Sequence, residues 1–501
     1  MKLQSFFEHH GIARNPFSEE DAQSDQVFKD YCIHSAFHPS WDKIFGQPTD
    51  PATSVVFGEK GAGKTAMRLQ ITRHLQAHNR EHAEARSFII QYDDFNPFID
   101  RFVNRLPSRR RRIDRALASW RLWDHMDAIL SLGVTDLVNR VVGSSQLAHD
   151  EVLAPADCAK LDRHQSRDLL LLAACYDQST EQAFVKRWDV LRRRLGFWNI
   201  KARLPLWFGA AGTALLSLIM LVIFLGARDQ ANFQKLWSDM PRGFYPLCLL
   251  LVWLPWLLKC AARTWMAWGI ARSLRVLNRP IQPLRRALMG LRGSELAGQP
   301  IPNQDRTDDR YELLTKFQGI LQSLGYGGVF VLVDRVDEPY LINGTAELMK
   351  ALIWPMLDNK FLKHPGLGVK LLLPAELKYF VEREDRDFNQ RARLDKQNMV
   401  PSLAWTGEAL FDVANARLRA CAMTGRTPSI GDFFDESISH QRLLEGFRNL
   451  RVPRHLHKFL YQLLVSHCNS HTDDHPQWRI SKERFESDLA LYERDMAENR
   501  L

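Results

Sequence analysis

Between Leu204 and Ala227 the chain runs for 24 residues without a charge, LPLWFGAAGTALLSLIMLVIFLGA. As a helix at 1.5 Å per residue this run is roughly 36 Å long, enough for the ~30 Å hydrocarbon core of a bilayer. A buried helix of a soluble core would be shorter and would carry a polar face, and this run has none. The reading is therefore a membrane span. A second apolar run, GFYPLCLLLVWLPWLL, covers 243–258 and continues into KCAARTWMAWG. Its length is marginal for spanning, but Lys259 can snorkel and extend it through Ala262, with Trp253, Trp256, Trp265 and Trp268 giving it interfacial character. A re-entrant or interfacial helix is the alternative for this second run.

Charge sets the orientation. Lys186, Arg187, Arg192, Arg193, Arg194, Lys201 and Arg203 precede the first run, and Lys259, Arg263, Arg272, Arg275 and Arg279 follow the second. The connector carries only Arg228, Lys235 and Arg242, offset by Asp229 and Asp239. The positive-inside rule puts both flanks in the cytoplasm and the connector outside. Much of the net charge of +9 is then a membrane signature, so the bilayer is the expected partner and nucleic acid, though possible, is not favoured. The other residues have ordinary globular composition, which excludes a mainly disordered chain. Seven cysteines without a C-x-x-C pair argue against a disulfide framework or zinc ribbon. The N-terminus lacks an apolar stretch of signal-peptide length, so the bulk of the chain is expected to fold in a reducing cytosol.

Outside the hairpin, strand and helix patterns alternate. TSVVF (53–57), SFIIQY (87–92), GVFVLVD (328–334) and VKLLL (369–373) read as buried strands. Residues 64–78, most of 110–200 and 405–465 read as helical, and Pro280, Pro283, Pro300 and Pro302 bracket an expected loop region.

GEKGAGKT, Gly58 to Thr65, fits G-x-x-x-x-G-K-[ST] and lies between a strand and an amphipathic helix, the context this phosphate-binding loop requires. Gly58, Glu59, Lys60, Gly61, Ala62 and Gly63 would wrap backbone N–H groups around phosphates at the positive end of the helix. Lys64 would reach the β- and γ-phosphates, and Thr65 would hold magnesium. The run VFVLVDRVDE, Val329 to Glu338, ends a buried strand in Asp334, suited to the magnesium shell; Asp337 and Glu338 follow within one turn. Either could orient or deprotonate the attacking water, and Glu338 is favoured.

These residues resemble the P-loop ATPases of the AAA+/STAND superfamily over about 30–100 and 305–465. NPFSEEDA (15–22) resembles the lead-in of bacterial origin-recognition-like ATPases, VKLLLPAE (369–376) sits where they carry a sensor-1 strand, and LRVPRHLHKFL (450–460) is similar to their sensor-2 helix. The resemblance implies that Arg454, or failing that Arg451, reaches the γ-phosphate. A hairpin between the two motifs resembles the KAP P-loop NTPases in particular, with Asp334 and Asp337 matching the outer aspartates of their D-D-x-D-R. That family includes bacterial phage-exclusion factors, implying an inner-membrane protein with a cytoplasmic ATPase domain and a role in antiviral defence. Arg391 and Arg393 lie where related ATPases place an arginine finger, although an exposed ion-paired helix is the plainer reading of 382–396.

Two other features are discounted. RRRR (109–112) could grip phosphates, but reads as a solvated helical face. His467, Cys468, His471, Asp473, Asp474 and His475 have no standard zinc spacing and read as a polar loop.

The expectation is an α/β protein: a P-loop NTPase of AAA+/STAND type with a parallel sheet, a helical lid and an inserted two-helix transmembrane hairpin. Its expected segments are 1–105 and 305–404 for the nucleotide domain, 106–203 for a helical insertion, 204–262 for the hairpin, 263–304 for a juxtamembrane linker and 405–501 for the lid. ATP and Mg2+ are the expected cofactors, with a protein partner or a second copy as companion. A nucleotide-gated switch that hydrolyses slowly or not at all is the rival reading.

Overall fold

The computed structural model describes residues 1–145, 151–229, 235 and 244–498. The rest of the connector, with Asp239 and Arg242, lies outside the described residues. The chain forms two compact units: Met1–Asn96 with Ile113–Trp120 and Gly325–Leu501, and Pro97–Arg112 with Arg121–Leu324.

The first unit holds five parallel strands, β1 (Ser54–Gly58), β2 (Arg86–Tyr92), β3 (Tyr326–Val333), β4 (Leu367–Pro374) and β5 (Asn398–Val400), in the order β2-β3-β4-β1-β5. β1 and β4 are buried along their whole length, which is why their sequences are apolar without alternation. β5 is an addition to the sequence reading, since three residues are too few to show a period. Helix α1 (Lys64–Glu81) follows β1 and packs Met67, Ile71 and Leu75 against Val56, Leu332 and Leu372 of the sheet.

Lys370, in mid-β4, is fully buried and donates to the main-chain carbonyls of Ile44 (2.7 Å), Phe45 (3.0 Å) and Ala52 (2.7 Å). Burial pushes its ammonium down to about 7. The unfolded chain, with a lysine near 10.4, binds the proton more tightly between those values, so stability rises with pH from about 7 to 10. The melting temperature of the full chain in detergent is expected to climb over this range, and Lys370→Met should flatten the slope. An unchanged slope in the variant would refute the assignment.

The second unit is helical: α2 (Leu122–Val142), α3 (Arg163–Tyr176), α4 (Phe184–Arg194), α5 (Leu204–Asp229), α6 (Phe244–Ser273), α7 (Ile281–Met289) and α8 (Thr307–Ser323). Arg310 of α8 pairs with Asp127 of α2 at 3.1 Å, both fully buried; Tyr176 of α3 donates to the same carboxylate at 2.9 Å, and Arg310 also donates to Ser273 Oγ at 2.9 Å. A buried pair is tolerated when neighbouring groups complete its hydrogen bonds, as here. This network joins α8 to α2 and α3, and the helical unit runs to Leu324. α6 runs on to Ser273, and within the expected Pro280–Pro302 loop region the chain forms a short helix at Gly293–Leu296 and α7. Pro283 fits there because it stands in the first helical turn, where its missing N–H has no partner to lose. RRRR (109–112) is exposed, with Arg109 and Arg110 ending a short 3-10 turn and Arg111 and Arg112 in the irregular stretch after it, rather than on a helical face.

The helices α5 and α6 are long and apolar enough to cross a membrane, and only 6% and 0% of their most apolar stretches are buried. A soluble core helix would be mostly covered. The two pack on each other at small residues: a Cβ on Gly212 would lie 2.5 Å from Val252, and Gly209 faces the Trp253 ring. Trp253 Nε1 donates to Thr213 Oγ1 at 2.8 Å, an interhelical bond of the kind that joins helices in lipid.

The first unit also contains a second core. Helices α9 (Gly407–Ala420), α10 (His440–Leu450), α11 (Pro453–Asn469) and α12 (Lys482–Glu498) surround Phe433, Phe447, Leu460 and Phe485. The N-terminal Phe6, Phe7, Ile12 and Phe17 are buried in this same cluster, so this core draws on segments far apart in sequence.

Candidate functional site

The carboxyl ends of β1 and β3 meet in a pocket lined by Lys60, Gly61, Gly63, Lys64, Thr65, Asp334, Asp337, Glu338 and Arg454, with walls from the N-terminal segment and α9 and α11. Ligands of open α/β sheets bind at such strand ends. Gly61 and Gly63 have φ of 89° and 95°, the left-handed region that lets the loop turn into α1. A side chain at Gly61 would meet the Arg454 Cβ at 2.6 Å, so α11 rests directly on the loop.

Lys64 Nζ turns back to the carbonyls of Gly58 (2.7 Å) and Glu59 (3.1 Å). Burial pushes its ammonium down, opposed by the negative fields of Asp337, Asp334 and Glu376. Thr65 Oγ1 donates to Asp334 Oδ2 at 3.0 Å, joining side chains 269 residues apart. Burial raises the Asp334 carboxyl, with Arg68 pulling the other way.

The acids after β3 differ. The Asp337 carboxylate stands in the pocket with no hydrogen-bond or ion-pair partner among the described residues, and its field on Lys64 is the largest of the three acids. Glu338 is half-exposed and held by Arg335 Nε at 3.3 Å. Arg335 has φ of 60°, a left-handed backbone uncommon for arginine and a mark of local strain at this corner.

Arg454 lines the pocket; Arg451 faces a neighbouring cavity with Glu59. Gly58 and Ala62 are buried, and the Ala62 carbonyl accepts from Trp405 Nε1 at 2.9 Å. Arg391 and Arg393 are not part of the pocket: Arg391 lies over Phe388 at 5.8 Å, and Arg393 pairs with Asp395 at 3.4 Å. No group of three or more His, Cys, Asp or Glu side chains placed to hold a metal occurs among the described residues, and His467 and His471 bond main-chain carbonyls.

Two site residues escaped the sequence reading. Arg68, one turn beyond Lys64, is 2% exposed and reaches Asp334 Oδ2 (3.3 Å), Gln91 (3.2 Å), Gln23 (3.4 Å) and Asp93. A basic residue on an amphipathic helix carries no mark of such burial. His457, one turn past Arg454, is buried in the pocket wall, and its Nε2 lacks a hydrogen-bond partner among the described residues. Burial, helped by the charge of Arg417, holds its ring neutral.

A glycine loop at a helix N-terminus and a lysine have the chemistry to meet an anion, and a hydroxyl beside a carboxylate has the oxygen donors a hard cation takes. No protein-family model, curated protein or solved structure matches the chain.

Proposed function

We propose that the chain is a membrane-anchored P-loop ATPase of the KAP/STAND type whose nucleotide site is cytoplasmic. The observation that carries this reading is the 3.0 Å contact between Thr65 and Asp334 beside the Gly61–Gly63 loop. These residue types suit a magnesium nucleotide: backbone N–H groups and Lys64 for phosphates, and two oxygen ligands for the cation. Magnesium bound there would neutralise charge on the phosphates. Arg454 supplies a further cation at the loop. Asp337 is the better-placed base, because Glu338 is engaged by Arg335. The end of β4 lies between β1 and β3 in the sheet, which supports its expected sensor-1 role, and Glu376 there acts on Lys64.

Topology supports the membrane reading. Thr65 and Asp334 share one site, so the chain between them crosses a bilayer an even number of times, and two apolar helices fit that count. An inner-membrane location and a defence role rest on the family resemblance.

The test is nucleotide binding by the full chain in detergent. ATP should bind with Mg2+ and lose about tenfold or more in affinity with Asp334→Ala, which removes a cation ligand. Failure of ATP and GTP to bind in either condition would sink the proposal. Binding without turnover would favour the switch.

A further inference from the structure

A separate cavity, of about 280 Å³, lies in the helical unit at the base of the apolar hairpin. Its wall is built from α4, the start of α5, the middle of α6, and α7. Four cations line it, Arg192, Arg203, Lys259 and Arg286, against one acid, Asp189. Arg192 is partly neutralised by Asp189 at 3.4 Å. Lys259 Nζ donates to the carbonyls of Ala202 and Met289, which leaves one of its three protons unused. Arg203 and Arg286 are exposed and have no hydrogen-bond or ion-pair partner among the described residues. Trp188 and Trp256 complete the wall, and Leu206 joins it to the uncovered apolar surface of α5.

We propose that this cavity binds the phosphate headgroup of an anionic phospholipid, whose acyl chains lie along α5 and α6. The inference rests on the membrane reading of those helices and adds a ligand to it. Cations at the cytoplasmic end of a hairpin, beside tryptophan and continuous with apolar surface, match both halves of such a lipid. A soluble phosphate would use the cations but not the apolar continuation.

Binding is measured on the full chain in neutral detergent with dioctanoyl phosphatidylglycerol, dioctanoyl phosphatidylcholine and sodium phosphate. Phosphatidylglycerol should bind at least about tenfold more tightly than phosphatidylcholine. The double substitution R203A/R286A should weaken phosphatidylglycerol about thirtyfold. Both side chains are exposed and unpartnered, so folding is not at stake; circular dichroism checks it. Asp189→Asn should act oppositely, tightening phosphatidylglycerol severalfold. Equal binding of the two lipids, or no change in the double variant, overturns the proposal. Displacement of phosphatidylglycerol by millimolar sodium phosphate also overturns it, by assigning the cavity to a soluble anion. Alkaline carbonate extraction of membranes separates the two levels. Release of the chain refutes the membrane reading and the lipid site together; retention without a lipid preference refutes only the site.

Discussion

On the proposed reading, Lys64→Ala is expected to lower ATP turnover by about a hundredfold or more, because the variant loses the loop ammonium that would meet charge on the transferred phosphoryl group. The fold should survive. Lys64 Nζ bonds only the loop's own carbonyls, and that of Gly58 already accepts from Ala375 at 3.1 Å. Truncation therefore leaves neither a buried unpaired charge nor an unpaired Gly58 carbonyl. The measurement is steady-state hydrolysis beside a thermal melt. A variant that melts like the parent and hydrolyses ATP at the parent rate would remove the loop from the mechanism.

Asp337→Asn should cost more than Glu338→Gln. A general base contributes about 10² to 10⁴ in rate, and Asp337 is the free carboxylate facing Lys64, whereas Glu338 is tied to Arg335. Single-turnover hydrolysis under saturating ATP separates the chemical step from binding. The expected pattern is a loss of at least about a hundredfold for the aspartate and a few-fold for the glutamate. Equal losses, or a larger loss for Glu338→Gln, would return the base to Glu338 and assign Arg335 a gating contact that opens during turnover.

The readable parts were those encoded in short windows. An uncharged run longer than a bilayer's hydrocarbon core is thick, four apolar strands and a loop with glycines at fixed offsets each state their own local structure, because hydropathy and backbone permissiveness act over a few residues. The contacts that define the pocket are of another kind. Whether Arg454 or Arg451 faces the loop turns on how α11 lies on Gly61, and both are basic residues at neighbouring positions. Arg68, Lys370 and His457 carry polar groups into burial that local hydropathy places in solvent; only carbonyls and carboxylates from distant segments make the first two tolerable. The Arg310–Asp127 pair, within the helical unit that ends at Leu324, spans 183 residues and leaves no trace in the composition of either helix. Periodicity thus reports which face of an element is buried. Which partner covers that face, and which charges meet across it, is decided when the chain closes on itself.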